Sequence, residues 1–128
     1  MNQEDKELLL KDLCARLPYR VKCSFGVDDA VYEITGVNPT CCGASEIQAT
    51  HVKSSVNGDF RLNSCKPYLF SLSSMTEEQY KTYCELEHSG DMEHLSLPLL
   101  EWLNKNYFDY RGLIEKGLAI NAAGLNIY

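Results

Sequence analysis

The segment from Leu95 to Ile120 constrains the fold most, because it carries the longest amphipathic pattern in the chain. It opens on Ser-Leu-Pro, which suits the cap and first turn of a helix, and it holds the only tryptophan, Trp102. Leu99, Leu103 and Tyr107 recur at four-residue spacing, which places them on one helix face. The pattern predicts a helix that reaches Tyr107 and covers whatever sheet the preceding residues form.

The patterns before this segment predict an α+β fold. Asn2 is placed to cap a first helix, which Pro18 ends. Apolar and polar residues then alternate with period two, as in half-buried strands. About five short strands are predicted, over residues 19–25, 30–37, 46–52, 60–62 and 68–72. Two or three helices follow, so we expect them to cover a small antiparallel sheet of about five strands, or one curled into an SH3-like or OB-like barrel.

Four local signals predict turns and caps. Asn57-Gly58 is the best hairpin signal in the chain, because both residues accept the positive φ of a type I′ turn. Ser74-Met-Thr-Glu77 has the form of a capping box ahead of a helix. Asp109 is placed to cap a short helical turn that Gly117 ends. Residues 38–43 have the composition of a loop.

Composition predicts one globular domain, residues 1–128, with an acidic second half. The net charge is −6, and residues 73–128 hold four Lys and Arg against nine Asp and Glu. An acidic surface repels phosphates, which disfavours nucleic acid as a partner. The bland interpretation is a solvated helix face; the alternatives are a docking patch for a basic partner and mimicry of nucleic acid charge. The acidic residues concerned are Glu77, Glu78, Glu85, Glu87, Asp91 and Glu93, which face only Lys81.

The six cysteines are expected to be free thiols in a reducing cytoplasm. The first residues have no basic region ahead of an apolar run, so no secretion signal is predicted. No stretch approaches the roughly 20 apolar residues of a membrane span.

Cysteine and histidine positions indicate only weak candidates for chemistry. Cys84, His88 and His94 have zinc-ligand chemistry, but their spacing does not repeat a known paired motif. The vicinal pair Cys41-Cys42 has no nearby cation to lower a thiol pKa. His51 is more typical of a half-buried strand histidine than of a catalytic base. We therefore predict no cofactor and no catalytic residue.

The densest aromatic and charged cluster is Tyr107-Phe-Asp-Tyr-Arg111. Aromatic residues and arginine dominate the energetic centres of protein interfaces. The alternative is that these aromatics belong to the core while Arg111 pairs with an acid. The sequence thus predicts a binding surface made of Trp102, Tyr107, Tyr110 and Arg111.

Three segments of the chain resemble a family of small uncharacterised proteins that prophages and other mobile elements of gut bacteria carry. They are Asp12-Leu-Cys-Ala-Arg-Leu-Pro-Tyr19, residues 66–79, which begin Lys-Pro-Tyr-Leu-Phe, and residues 102–120, which begin Trp-Leu-Asn-Lys-Asn. Residues 38–51 lie outside this likeness. The resemblance implies a cytoplasmic, bacterial and phage-associated protein, and it transfers no catalytic or binding residue.

These observations together favour a non-enzymatic, protein-binding accessory protein of a prophage or mobile element. No nucleic acid or membrane partner is expected, and the oligomeric state is not predicted. One alternative is a thiol- or zinc-dependent enzyme or sensor that uses Cys84, His88 and His94. The other is an acidic inhibitor that mimics the charge of nucleic acid.

Overall fold

The computed structural model describes residues 2–26, 30–37, 47–88 and 97–128. Three helices and seven strands lie in these ranges. The helices are α1 (Gln3–Arg16), α2 (Glu77–His88) and α3 (Leu97–Lys105). The strands are β1 (Lys22–Ser24), β2 (Tyr32–Val37), β3 (Ile47–His51), β4 (Asn57–Phe60), β5 (Lys66–Ser71), β6 (Phe108–Asp109) and β7 (Ile120–Asn121). The predicted α+β class is confirmed.

The sheet is larger than predicted and mixed in direction. Its order is β4-β3-β2-β1-β5-β6, and β7 also pairs with β5. The pairs among β1 to β5 are antiparallel, whereas β6 and β7 run parallel to β5. Parallel neighbours require a long crossover, which α2 and α3 supply between β5 and β6. No ladder joins β4 to β6 or β7 in the described residues, and the barrel alternatives are not confirmed.

The first helix follows its predicted cap. The Asn2 side chain accepts a hydrogen bond from the Asp5 N–H at 2.8 Å. Leu9 and Leu13 are fully buried, and a 3-10 turn containing Pro18 ends the helix. The predicted alternation of buried and solvent-facing side chains also holds around the first strand, where Val21, Cys23 and Phe25 are buried in the core. Two periodic patterns therefore place the two layers of the main core.

The hairpin predicted at Asn57-Gly58 is wrong. Both residues lie inside β4, where they pair with Thr50 and Ala49 of β3. The chain instead turns just after His51, whose Nδ1 accepts hydrogen bonds from two N–H groups of the turn. Gly58 is needed for another reason: a Cβ there would lie 2.8 Å from the Phe60 ring. A close approach of ring to backbone, not a positive φ, explains the glycine.

The helix around Trp102 is shorter than predicted. Leu99 and Leu103 are buried as expected, but α3 ends at Lys105. Tyr107 follows with a φ of +60°, so it does not continue the helical face. The Trp102 carbonyl at the end of the helix accepts two hydrogen bonds from Asn106, one from its backbone N–H at 3.1 Å and one from its side chain at 2.9 Å.

The start of α2 also differs from the prediction. The capping box is formed by Thr76 and Gln79: the Gln79 N–H donates to Thr76 Oγ1, and the Thr76 N–H donates to Gln79 Oε1. Ser74, which the sequence placed at the cap, donates instead to the Ser71 carbonyl at 2.6 Å. The predicted cap was two residues early because both positions fit the same pattern, and only the second precedes residues with helical geometry.

Two apolar clusters hold the layers together. The main one lies between the sheet and α1 and includes the buried Ile34, Ile47 and Leu69. A smaller one, around Leu99, Leu103 and Phe108, joins α2 and α3 to the sheet. Among the helices in the described part of the chain, none is long and apolar enough to cross a membrane. The predicted loop at 38–43 and the helix cap Ser96 lie outside the described residues.

Candidate functional site

The structure separates the four residues predicted to form a binding surface. Trp102 stacks on Phe108, with ring centroids 5.5 Å apart, and belongs to the smaller apolar cluster. The Tyr107 hydroxyl donates to the Tyr19 carbonyl, and the Tyr107 ring stacks on Tyr128 at 3.7 Å. Trp102 and Tyr107 thus support different parts of the fold. Their role in binding a partner stays a prediction.

Tyr110 and Arg111 take part in a network of side chains within the chain. Arg111 Nη1 donates to Asp12 at 2.8 Å and to the Tyr110 hydroxyl at 2.8 Å. The Tyr110 hydroxyl in turn donates to Asn104 at 2.8 Å. The Arg111 guanidinium also lies over the Tyr110 ring, 4.6 Å from its centroid. The alternative interpretation, in which Arg111 pairs with an acid, fits these contacts, but the acid is distant in sequence.

The centre of this network is a buried ion pair on α1 that the sequence analysis missed. Asp12 and Arg16 are both fully buried, and Asp12 accepts from Arg16 Nε at 2.9 Å and Nη2 at 3.1 Å. Arg16 Nη2 also donates to the Phe108 carbonyl at 2.6 Å. Arg16 Nη1 has no hydrogen-bond partner among the described residues. The i, i+4 spacing of an acid and an arginine was the available signal, but it is more often found on a solvated face.

Asp109 closes a turn rather than a helix. Its carboxylate accepts hydrogen bonds from the Leu113 and Ile114 N–H groups, each at 2.9 Å. The predicted short helix does not form: the residues that follow make turns up to Gly117, with its φ of +73°, and the Asp109 carboxylate holds those turns instead of capping a helix. The turn directs the chain back to the sheet as β7.

Aromatic and acidic side chains are exposed together on α2. From Glu77 to Glu87, where the structure describes the side chains of this helix, none is fully buried, and Tyr80 is 60% exposed. The rings of Tyr80 and Tyr83 stack with centroids 6.4 Å apart. We call the exposed residues of the helix the α2 outer face: Glu77, Glu78, Tyr80, Lys81, Glu85 and Glu87.

Electrostatics keep the two tyrosines of α2 neutral. The pKa of Tyr80 is raised, first by its hydrogen bond with Cys84 and then by nearby negative charge. Burial and the Glu87 carboxylate raise the pKa of Tyr83. Neutral phenol groups among carboxylates offer a hydrogen-bond donor and a ring face, both of which suit a cationic partner group.

The weak metal and thiol candidates gain no support from the described residues. Cys84 and His88 lie one turn apart on α2, while His94 lies outside the residues that the structure describes. Within the described ranges, no group of three or more His, Cys, Asp and Glu side chains is arranged to hold a metal ion. Cys41-Cys42 also lies outside them. His51 is engaged by the turn after β3 and by an edge contact with Tyr32.

Cys23 and Cys65 form a buried pair of free thiols between β1 and β5. Both are fully buried, and their mutual hydrogen bond, with burial, raises the pKa of Cys23. The register pairs Cys23 with Pro67, so Cys65 lies diagonally across the ladder. Both thiols are free, and the raised pKa keeps the Cys23 thiol protonated and unreactive.

A groove lies between the start of α2 and the last residues of the chain. Its volume is about 380 Å³. It is lined by Phe70, Ser74, Gln79, Lys105, Asn106, Tyr107, Phe108, Ala123 and Tyr128. Sequence analysis missed it because its walls come from four separate segments. Comparisons with protein-family models, with curated protein sequences and with solved structures returned no match to this chain.

Proposed function

We propose that this chain is a non-enzymatic protein-binding protein, and that its partner is a protein with a basic surface that docks on the α2 outer face. The observation that carries the proposal is the exposure of Tyr80 at 60% on a helix with four glutamates and one lysine. Tyrosine supplies a large, rigid contact area to interfaces. The surrounding carboxylates select a partner of opposite charge.

An arginine-bearing partner fits this surface best. A guanidinium over the Tyr80 ring gains a cation–π interaction, and adjacent glutamates accept its hydrogen bonds. Tyr83 and Leu86 pack against the smaller apolar cluster, so the helix that carries Tyr80 is held in place before binding. The predicted binding residues Trp102 and Tyr110 pack in that same cluster and support α2 from beneath in this proposal.

The proposed setting is the cytoplasm of a bacterium that carries a prophage or mobile element. It rests on the resemblance of the three segments described above and on the cysteines, which include the buried free thiols Cys23 and Cys65. The inhibitor that mimics nucleic acid charge is a special case of the same proposal, in which the basic surface of the partner is itself a nucleic acid site.

The experiment is capture of a partner from host lysate, identification by mass spectrometry, and titration with both proteins purified. Tyr80→Ala is expected to weaken binding about tenfold or more, as for a central interface tyrosine. Glu77→Gln with Glu85→Gln is expected to weaken it and to reduce its salt dependence. The matched control is Glu101→Gln with Glu115→Gln, which removes the same charge from exposed sites outside α2.

Two results would contradict the proposed surface. Equal weakening by both glutamate pairs would show that only net charge matters. Loss of binding in Tyr110→Ala with Arg111→Ala, but not in Tyr80→Ala, would move the interface to the residues that the sequence predicted. Competition by duplex DNA would identify the partner's surface as a nucleic acid site.

The enzyme or sensor alternative rests on Cys84 and His88, which are four residues apart in the sequence of α2. Elemental analysis of the purified protein tests it. About one equivalent of zinc, lost in Cys84→Ser, would replace the protein-binding proposal with a metal-dependent function.

A further inference from the structure

The groove between α2 and the last residues of the chain has the size and lining of a small-molecule site. Its volume of about 380 Å³ falls in the range of ligand pockets, roughly 300 to 1,000 Å³. Four of its lining residues are aromatic: Phe70, Tyr107, Phe108 and Tyr128. A few polar side chains complete the wall. In such sites the apolar surface usually supplies most of the contact, and the polar groups fix the orientation of the ligand.

The aromatic wall is fixed before any ligand enters. The Tyr107 and Tyr128 rings stack 3.7 Å apart and are tilted by only 10°. The Tyr128 hydroxyl donates to the Tyr68 carbonyl at 2.9 Å and accepts from the Lys22 N–H at 2.8 Å. The Tyr107 hydroxyl donates to the Tyr19 carbonyl. The two rings are therefore held in place before a ligand enters, and the wall they form loses little freedom on binding.

The charge of the groove is opposite to that of the whole chain. Among the described lining residues, Lys105 alone has a side chain that is charged at neutral pH. Tyr107 and Tyr128 are neutral there with the ordinary phenol pKa, and burial raises the pKa of both further. No carboxylate in the described residues lies within ion-pair distance of Lys105. Gln79 uses its oxygen on the Thr76 N–H, which leaves its amide N–H₂ as a donor. An ammonium and an amide donor beside aromatic rings suit a carboxylate on a planar body.

We propose that this groove binds a small aromatic carboxylate, with its ring against the Tyr107–Tyr128 wall and its carboxylate at Lys105. The proposal is independent of the protein-binding function, because Tyr80 and the rest of the α2 outer face do not line the groove. It names a ligand class that the predicted binding surface did not include.

The test is titration of the isotope-labelled protein with 2-naphthoate, followed by two-dimensional NMR. We expect shifts that cluster at Lys105, Asn106 and Ala123, and binding at least about threefold weaker for the uncharged isostere 2-naphthamide. Lys105→Gln is expected to remove this preference without unfolding the protein, since Lys105 is exposed and its ammonium has no partner among the described residues. Ala123→Trp fills the groove and is expected to abolish binding of both probes.

The matched control is Lys53→Gln, in the second groove of the molecule, which has a volume of about 610 Å³ and is lined by Lys22, His51 and Lys53 among others. Unchanged binding in this variant supports the proposal. The proposal is overturned by equal affinity for 2-naphthoate and 2-naphthamide, by loss of binding in Lys53→Gln, or by no shifts near Lys105 up to millimolar probe.

Discussion

At the scale of single residues, the buried pair Asp12–Arg16 dominates the energetics of polar groups in this chain. Removing two charges from water costs several kcal/mol each, and the pair offsets that cost only while both partners remain. Asp12 meets two guanidinium groups, those of Arg16 and Arg111, so its loss leaves Arg16 charged and without a counter-ion in the core. Arg111 is better placed to recover hydration, because 16% of its side chain is exposed.

Asp12→Asn is therefore expected to destabilise the fold by about 3 to 5 kcal/mol. Arg111→Gln is expected to cost about 1 kcal/mol, since the buried pair survives. Urea unfolding followed by circular dichroism measures both. The control Glu115→Gln removes the same charge from an exposed turn and should change the free energy of unfolding by less than about 0.5 kcal/mol. A loss below about 1 kcal/mol in Asp12→Asn would contradict the burial of the pair.

Tyr128 predicts how stability depends on alkaline pH. Burial raises its pKa in the folded chain above the ordinary value of 10.0, so only the unfolded chain ionises just above pH 10. A raised folded pKa contributes stability that is complete below the unfolded pKa and is lost as pH rises beyond it. The free energy of unfolding should therefore fall as the pH rises from 10 to 11, by an amount that the partial exposure of Tyr128 reduces.

Tyr128→Phe is expected to lower stability at pH 8, because two hydrogen bonds are lost, and to flatten the decline above pH 10. Urea midpoints measured at pH 8, 9, 10 and 11 provide the comparison. Tyr19→Phe is the control, because the Tyr19 hydroxyl makes no hydrogen bond among the described residues. An equally steep alkaline decline in Tyr128→Phe would assign the effect to other groups.

At the scale of elements, α2 is the least anchored of the three helices. None of its side chains from Glu77 to Glu87 is fully buried, and it packs on the smaller apolar cluster through partly buried side chains such as Tyr83 and Leu86. Such an element opens locally at a smaller free energy than the core does. Its capping box consequently matters more to its stability than a cap does in a well-packed helix.

Thr76→Ala is expected to destabilise α2 by about 1 kcal/mol, because the Gln79 N–H loses its acceptor. The rate of hydrogen exchange of the α2 amides, measured by NMR, reports this loss of local stability directly. Ser74→Ala removes only the hydrogen bond to the Ser71 carbonyl and should leave α2 exchange nearly unchanged. A larger effect of Ser74→Ala than of Thr76→Ala on this exchange would support the capping box that the sequence predicted at Ser74.

At the scale of the whole molecule, the sheet joins sequence segments that lie far apart. β5 pairs with β1, β6 and β7, so the last third of the chain closes over the first. Cys23 lies on β1, Cys65 immediately precedes β5, and both are fully buried. Their thiols consequently report on opening of the whole sheet.

Thiol labelling resolved by mass spectrometry is expected to give three classes among the described cysteines. Cys14 is exposed and should react first, Cys84 is half-buried and should follow, and Cys23 and Cys65 should react only as fast as the molecule unfolds. Urea just below the unfolding midpoint should accelerate the last two together. Early labelling of Cys23 without Cys65 would show that β1 opens independently of β5.

The periodic patterns of the sequence were enough to determine the helix–strand order up to β5, the Asn2 cap and the α+β class. These features depend on residues close in sequence: Leu9 and Leu13 define one helix face, and Val21, Cys23 and Phe25 define one strand face. The actual hairpin turn, the parallel strands β6 and β7, and the burial of Asp12 and Arg16 were decided only by tertiary structure. Each requires a partner that the local pattern does not contain: β3 beside Asn57 and Gly58, β5 beside β6, and Arg111 against Asp12.

The candidate sites show the same division. Tyr107, Tyr110 and Arg111 were predicted to form a cluster because they are close in sequence. Their hydrogen bonds go to other segments: Tyr107 to Tyr19, Tyr110 to Asn104, and Arg111 to Asp12. The groove at Lys105 has no signature in any one segment, since its walls come from β5, α2, α3 and the chain end. Local spacing determines which face a side chain occupies, whereas packing of distant segments determines what that face meets.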